Sequence, residues 1–159
     1  MPFNAGNIER MRKKVPEPPV IFLVSLVLTA GLHFVVPIAK VIHSPIRYAG
    51  VILIAVGIWL NLWTDRLFKK RTTTVKPFEE PASLIHDGPF RFSRNPMYLG
   101  MVTILVGIAI VLGSVGAFIV PIVFFVTMHF VFITHEEKAM QATFGADFAA
   151  YKQRVRRWL

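Results

Sequence analysis

The residues best able to do chemistry fall into two groups. Arg91, Arg94 and Asn95 stand just ahead of Pro96, and from Met97 the chain is almost wholly apolar to Leu112. Asn95 is a good helix N-cap, and a proline at the next position loses no helical hydrogen bond. A helix is therefore expected to start here at a membrane surface, its free N–H groups and positive dipole end flanked by arginines. That combination suits the carboxylate or phosphate of a bound molecule. It equally describes a helix cap with snorkelling arginines that set topology. The second group is the adjacent pair Glu136-Glu137, just past another apolar run. Two carboxylates near lipid headgroups can accept a proton or form structural ion pairs with the arginines. His129 and Glu136 are seven apart in sequence, which predicts one shared helical face, with Glu137 turned about 100° away.

Other chemistries lack their residues. The chain has no cysteine, which removes thiol nucleophiles, disulfides and thiolate metal sites. His129 and His135 fall on different faces and no further pair has metal-ligand spacing, so no metal site is expected. There is no Gly-rich phosphate loop, nucleophile elbow or Ser/His/Asp arrangement.

The elements that must position these groups are membrane helices. Of 159 residues, 54% are hydrophobic, and the mean hydropathy is +0.55, too apolar for an ordinary soluble domain. The fold class expected is an all-α integral membrane protein of one domain. Four spans are predicted, over about 20–41, 46–63, 97–112 and 117–133, the last two forming a hairpin broken at Gly113-Ser114-Val115-Gly116. A connector over 72–95 joins the second and third. Helical sequence should continue past the last span through Thr134–Gln141, with Phe144-Gly145 as its stop. Asp147 then caps an amphipathic interfacial helix over 147–159, with Phe148, Tyr151, Val155 and Trp158 on its apolar side. Gly50 and Gly57 on the second span, and Gly100 and Gly107 on the third, share helical spacing that permits close helix approach.

With four spans, all of the 18 Lys and Arg residues except Lys40 and Arg47 lie on one side, together with all nine acidic residues. The positive-inside rule makes that side cytoplasmic, so both termini face the cytoplasm of an inner or plasma membrane. It also accounts for the formal net charge of +9 without nucleic acid as a partner. Any chemistry belongs at the cytoplasmic face, where the helix start at 91–98, the acidic pair and the basic C-terminal segment meet.

Three blocks now stand in order: His86-Asp87-Gly88-Pro89-Phe90-Arg91-Phe92-Ser93-Arg94-Asn95-Pro96-Met97-Tyr98-Leu99-Gly100, then Glu136-Glu137, then Phe144-Gly145 with Tyr151-Lys152-Gln153-Arg154-Val155. Over roughly residues 83–157 the chain resembles isoprenylcysteine carboxyl methyltransferases and the related phospholipid N-methyltransferases. The resemblance implies a methyltransferase that uses S-adenosylmethionine, with a lipid or lipid-like acceptor and carboxylate O-methylation as the first reading. It implies cofactor contacts from His86, Gly88, Pro89, Arg94, Asn95 and Pro96. Tyr98, Leu99, Gly100, His135, Glu136 and Tyr151 complete that set, and Arg94, Glu136, Glu137 and Arg154 form the catalytic group. Asn95 stands where the family more usually has histidine, and Phe148 where it has tyrosine. Two rivals are an NADPH-dependent enzyme like the membrane sterol reductases, which use a similar R-x-P-x-Y-x-G block, and a non-catalytic membrane scaffold.

Overall fold

Every element in the computed structural model, which describes residues 15–35, 45–71 and 83–159, is helical. In chain order these are α1 (Pro18–Val35), α2 (Arg47–Lys70), a 3₁₀ turn (Gly88–Arg91), α3 (Pro96–Leu112), α4 (Val115–Thr127), a π-helical turn (Met128–Ile133) and α5 (Thr134–Arg154). Three stretches are long and apolar enough to cross a membrane: α1, α2 and the continuous run Val115–Arg154; α3 is a shorter apolar helix. Lys40, residues 72–82 of the connector and the end of the first expected span lie outside the described residues.

The predicted hairpin is present. Gly113, at φ 73°, ends α3 in the left-handed conformation that glycine adopts without strain, and its N–H is bonded to the Ala109 carbonyl at 2.9 Å. Ser114 then leads directly into α4. The second helix outruns its expected end at 63, continuing to Lys70. Asp65 and Lys69 pair across one turn at 2.6 Å, and Phe68 meets Phe90 edge-on at 5.6 Å.

The two glycine pairs meet each other. A β-carbon built on Gly50 would fall 2.5 Å from the Gly107 carbonyl oxygen, and one on Gly57 would fall 2.6 Å from that of Gly100. Glycine at these four positions therefore lets α2 and α3 pack backbone to backbone. On its other sides α3 packs on α4 and α1, and α1 packs chiefly on α4. The core between them is Tyr98, Met101, Leu105, Phe124, Met128, Phe132 and Ile133. Outward, Val27, Ile52, Trp59, Ile122 and Phe130 are exposed, as side chains bathed in lipid must be.

The last helix departs from expectation in two ways. The residues from Met128 to Ile133 form a π turn, so the helix is locally wider and its face shifts. Gly145 (φ 48°, ψ −116°) kinks the chain at the predicted stop, after which helix resumes and ends at Arg154 rather than Leu159. Val155 is extended (φ −123°, ψ 131°), and the tail turns back over the start of α3. The run of 40 residues from Val115 to Arg154 is about 60 Å long, roughly twice the hydrocarbon thickness. Its apolar first half, ending at Ile133, is long enough to cross the bilayer, and Glu136 and Glu137 lie beyond it.

Candidate active site

The site is built where three chain segments converge: Ser93–Tyr98, the first turn of α5, and the tail after Arg154. Asn95 does occupy the N-cap of α3, but its side chain caps nothing. Its amide Nδ2 instead donates to the Arg157 carbonyl at 2.9 Å, while the helix closes its first turn through Leu99 N–H to the Asn95 carbonyl. Ser93 Oγ accepts from Asn95 N–H and donates to the same Arg157 carbonyl. Arg94 N–H donates to the Arg156 carbonyl at 3.0 Å.

The Arg94 guanidinium joins all three segments. Its Nη1 donates to the Val155 and Lys152 carbonyls at the C-terminal end of α5, where the helix dipole is negative. Its Nε and Nη2 donate to Glu137 Oε1 at 3.1 and 2.6 Å. Arg157 grips the same carboxylate from the other side, Nε to Oε1 and Nη2 to Oε2. The side chains of Arg94 and Glu137 are only 11% and 14% exposed, so water screens this cluster weakly. Burial acts to raise the Glu137 carboxyl, but the bonds from Arg157 and Arg94 outweigh it and hold the group below its ordinary value.

Glu136 has a different environment. It accepts one hydrogen bond, from the Tyr98 hydroxyl at 2.6 Å, and no arginine reaches it among the described residues. Burial pushes its carboxyl up to about 7; the Tyr98 bond pulls it down, and the neighbouring Glu137 carboxylate adds to the rise. The pair thus divides into one glutamate held below its ordinary value and one pushed up to about 7.

His129, expected on one helical face with Glu136, is met by the C-terminal tail. Trp158 Nε1 donates to His129 Nδ1 at 3.1 Å, and an imidazole accepts on one ring nitrogen at most, so Arg157 Nη1, 3.0 Å from Nε2, stands beside the ring while its guanidinium holds Glu137.

The other expected residues have these surroundings. Gly88 (φ 58°) starts the 3₁₀ turn, Pro89 and Pro96 are buried, and the turn presents the Phe90 carbonyl to the Tyr151 hydroxyl at 2.7 Å. Gly100 packs on Asn61, whose Oδ1 would lie 2.3 Å from an added β-carbon. Leu99 and His135 are half-buried, with His135 Nδ1 donating to the Val131 carbonyl. Two residues are not brought in. His86 is exposed, and Arg154 is an exposed side chain bonded to its own helix at the Ala150 carbonyl. The C-terminal arginine that reaches the carboxylate is Arg157. Only the spacing of its neighbour Trp158 on the amphipathic pattern hinted that this end of the chain turns inward. No cluster of three metal-ligating side chains exists among the described residues.

The model of the phospholipid methyltransferase family matches residues 46–147, more than half of the chain, and the chain belongs to that family. A Haemophilus influenzae protein described as uncharacterized is 36% identical over 63 residues, which is 40% of this chain and the whole of that protein. No solved structure matches the chain.

Proposed function

We propose that this protein transfers a methyl group from S-adenosylmethionine to a lipid-like acceptor at the cytoplasmic face of the membrane. Membership of the family supports methyl transfer at a membrane; the cofactor and acceptor are inferred from the site. The residues present suit a zwitterionic amino-acid tail. Arg94 and Arg157 carry one more positive charge than Glu137 cancels, which favours a carboxylate, and the second Glu136 oxygen takes no bond among the described residues, which favours an ammonium. When bound, the cofactor supplies an activated methyl on a sulfonium centre.

The observation that carries the proposal is the split between the two glutamates. Glu137 is locked as a structural anion, whereas Glu136, bonded to Tyr98 and raised to about 7, can take up and release a proton near neutral pH. The sequence resemblance places a carboxylate acceptor first, and that acceptor needs no base. A carboxyl tuned to neutrality favours a second reading, an amine-bearing lipid headgroup. There Glu136 removes the ammonium proton, the freed lone pair forms the N–CH₃ bond, and the C–S bonding pair returns to sulfur. In both cases the charge of the sulfonium is dispersed or neutralised in the transition state, so a partly dry site helps the step. Positioning by the fold supplies much of the rest.

A cofactor titration by calorimetry on the detergent-solubilised protein tests the assignment. Saturable binding of S-adenosylmethionine and of its demethylated product is expected. Binding of NADPH instead would move the protein to the reductase reading, and binding of neither would leave a scaffold.

A further inference from the structure

The tail after Arg154 enters the reaction as just described only through the charge of Arg157, yet its backbone is heavily anchored. Residues 93–95 bind its backbone through the Val155, Arg156 and Arg157 carbonyls. Trp158 stacks on Phe125 with ring centroids 4.5 Å apart and donates from Nε1 to His129 Nδ1 at 3.1 Å. Held at both sides, the tail is a strap across the mouth of the bundle, and Arg157 is the side chain it directs inward.

The position of that guanidinium is informative. One edge holds Glu137 on α5, and the next residue, Trp158, donates to His129 inside the π turn, so the strap bridges the helix of His129 and the helix that carries the acidic pair. Arg94 holds Glu137 from the α3 side alone. Glu136 follows Glu137 directly in the chain, and its Tyr98 bond at 2.6 Å depends on how that first turn of α5 is set. We infer that Arg157 is a positioning residue, clamping Glu137 to the C-terminal strap that Trp158 anchors on His129 and thereby fixing Glu136 against Tyr98. The inference rests on the methyl-transfer reading above.

If Arg157 acts through Glu137, removing either should abolish the same arrangement. Arg157→Ala and Glu137→Gln are each expected to lower kcat for methyl transfer, read at saturating cofactor, about tenfold or more. The double variant should be no worse than the poorer single one, whereas independent effects would multiply. Arg157→Lys, the milder change should Arg157→Ala fail to fold, keeps the charge but cannot grip both Glu137 oxygens, so it should not restore kcat. In a Trp59→Phe/Trp63→Phe background, Trp158 fluorescence should shift toward its water-exposed value on Arg157→Ala. Near-normal kcat in both Arg157 variants, or losses that multiply, would overturn the inference. If the wild-type protein bound the cofactor but transferred no methyl, the proposed reaction would fall and the strap would be judged on emission: a Trp158 signal unchanged by Arg157→Ala overturns it.

Discussion

Adjacent side chains at 136 and 137 point about 100° apart, so one turn of helix delivers them to different neighbours. Glu137 meets two guanidiniums and Glu136 meets a phenol. Glu136→Gln keeps the volume and one acceptor oxygen but removes the titration. Turnover should fall about a hundredfold or more while thermal stability stays near normal, a split that activity and unfolding curves on the same preparation reveal. The pH dependence follows from the direction of the shift. A base must be ionised, so the rate should rise as pH increases through about 7 and then level off. Because the folded value is raised above the ordinary one, Glu136 contributes stability in its protonated form, below the ordinary carboxylate range, and loses it as pH rises through about 7. Denaturation midpoints across this window should show that trend in the wild-type protein, and Glu136→Gln should flatten it. The acidic pair itself was legible in the sequence, since two carboxylates beside an apolar run are costly without a purpose. Which of the two is free was not, because that depends on where the arginines arrive.

At the scale of elements, α2 and α3 approach backbone to backbone at their glycines, with Ile54, Asn61, Ile104 and Val111 packed beside them. Gly57→Ala places a methyl 2.6 Å from the Gly100 carbonyl oxygen and 2.7 Å from Ile104 Cγ1, so the helices must part. Such overpacking typically costs about 1–3 kcal/mol, readable as a lowered unfolding midpoint in detergent. Gly31→Ala in α1, where a β-carbon meets nothing within 4 Å, is the control expected to leave it unchanged. These glycines, the Asn95-Pro96 start of α3 and the Gly113 turn were readable because each expresses a local rule about backbone space or geometry. The π turn was not, since nothing in Met128–Ile133 departs from good helix-forming or apolar sequence. Residue spacing, which puts His129 and Glu136 on one face, does not register the wider turn between them. The exit from helix at Val155 was likewise hidden: the apolar spacing of Phe148, Tyr151, Val155 and Trp158 reads as a continuous amphipathic helix, while the carbonyls of that segment are claimed by residues some 60 positions earlier.

At the scale of the whole molecule, the proposed polar cofactor would arrive from water and a lipid acceptor from the side, which would place the reaction at their boundary. Arg94, Glu136 and Glu137 lie at the end of the bundle where Arg66, Lys69, Lys70 and Arg71 also cluster, opposite the end marked by Arg47 and Ser114. With basic residues so divided, both termini should lie in the cytoplasm. Reporter domains fused after Lys14 and after Leu159 should both report the cytoplasmic side. Opposite sides would contradict an even number of spans. The central claim is methyl transfer to a membrane lipid by Glu136 and its partners. Its most direct test is to incubate the purified protein with S-adenosylmethionine labelled in the methyl group and a total membrane lipid extract, then count label in the organic phase. The wild-type protein should transfer label at least about a hundredfold faster than Glu136→Gln. No label from a folded, cofactor-binding wild-type protein, or equal label from both, would contradict it.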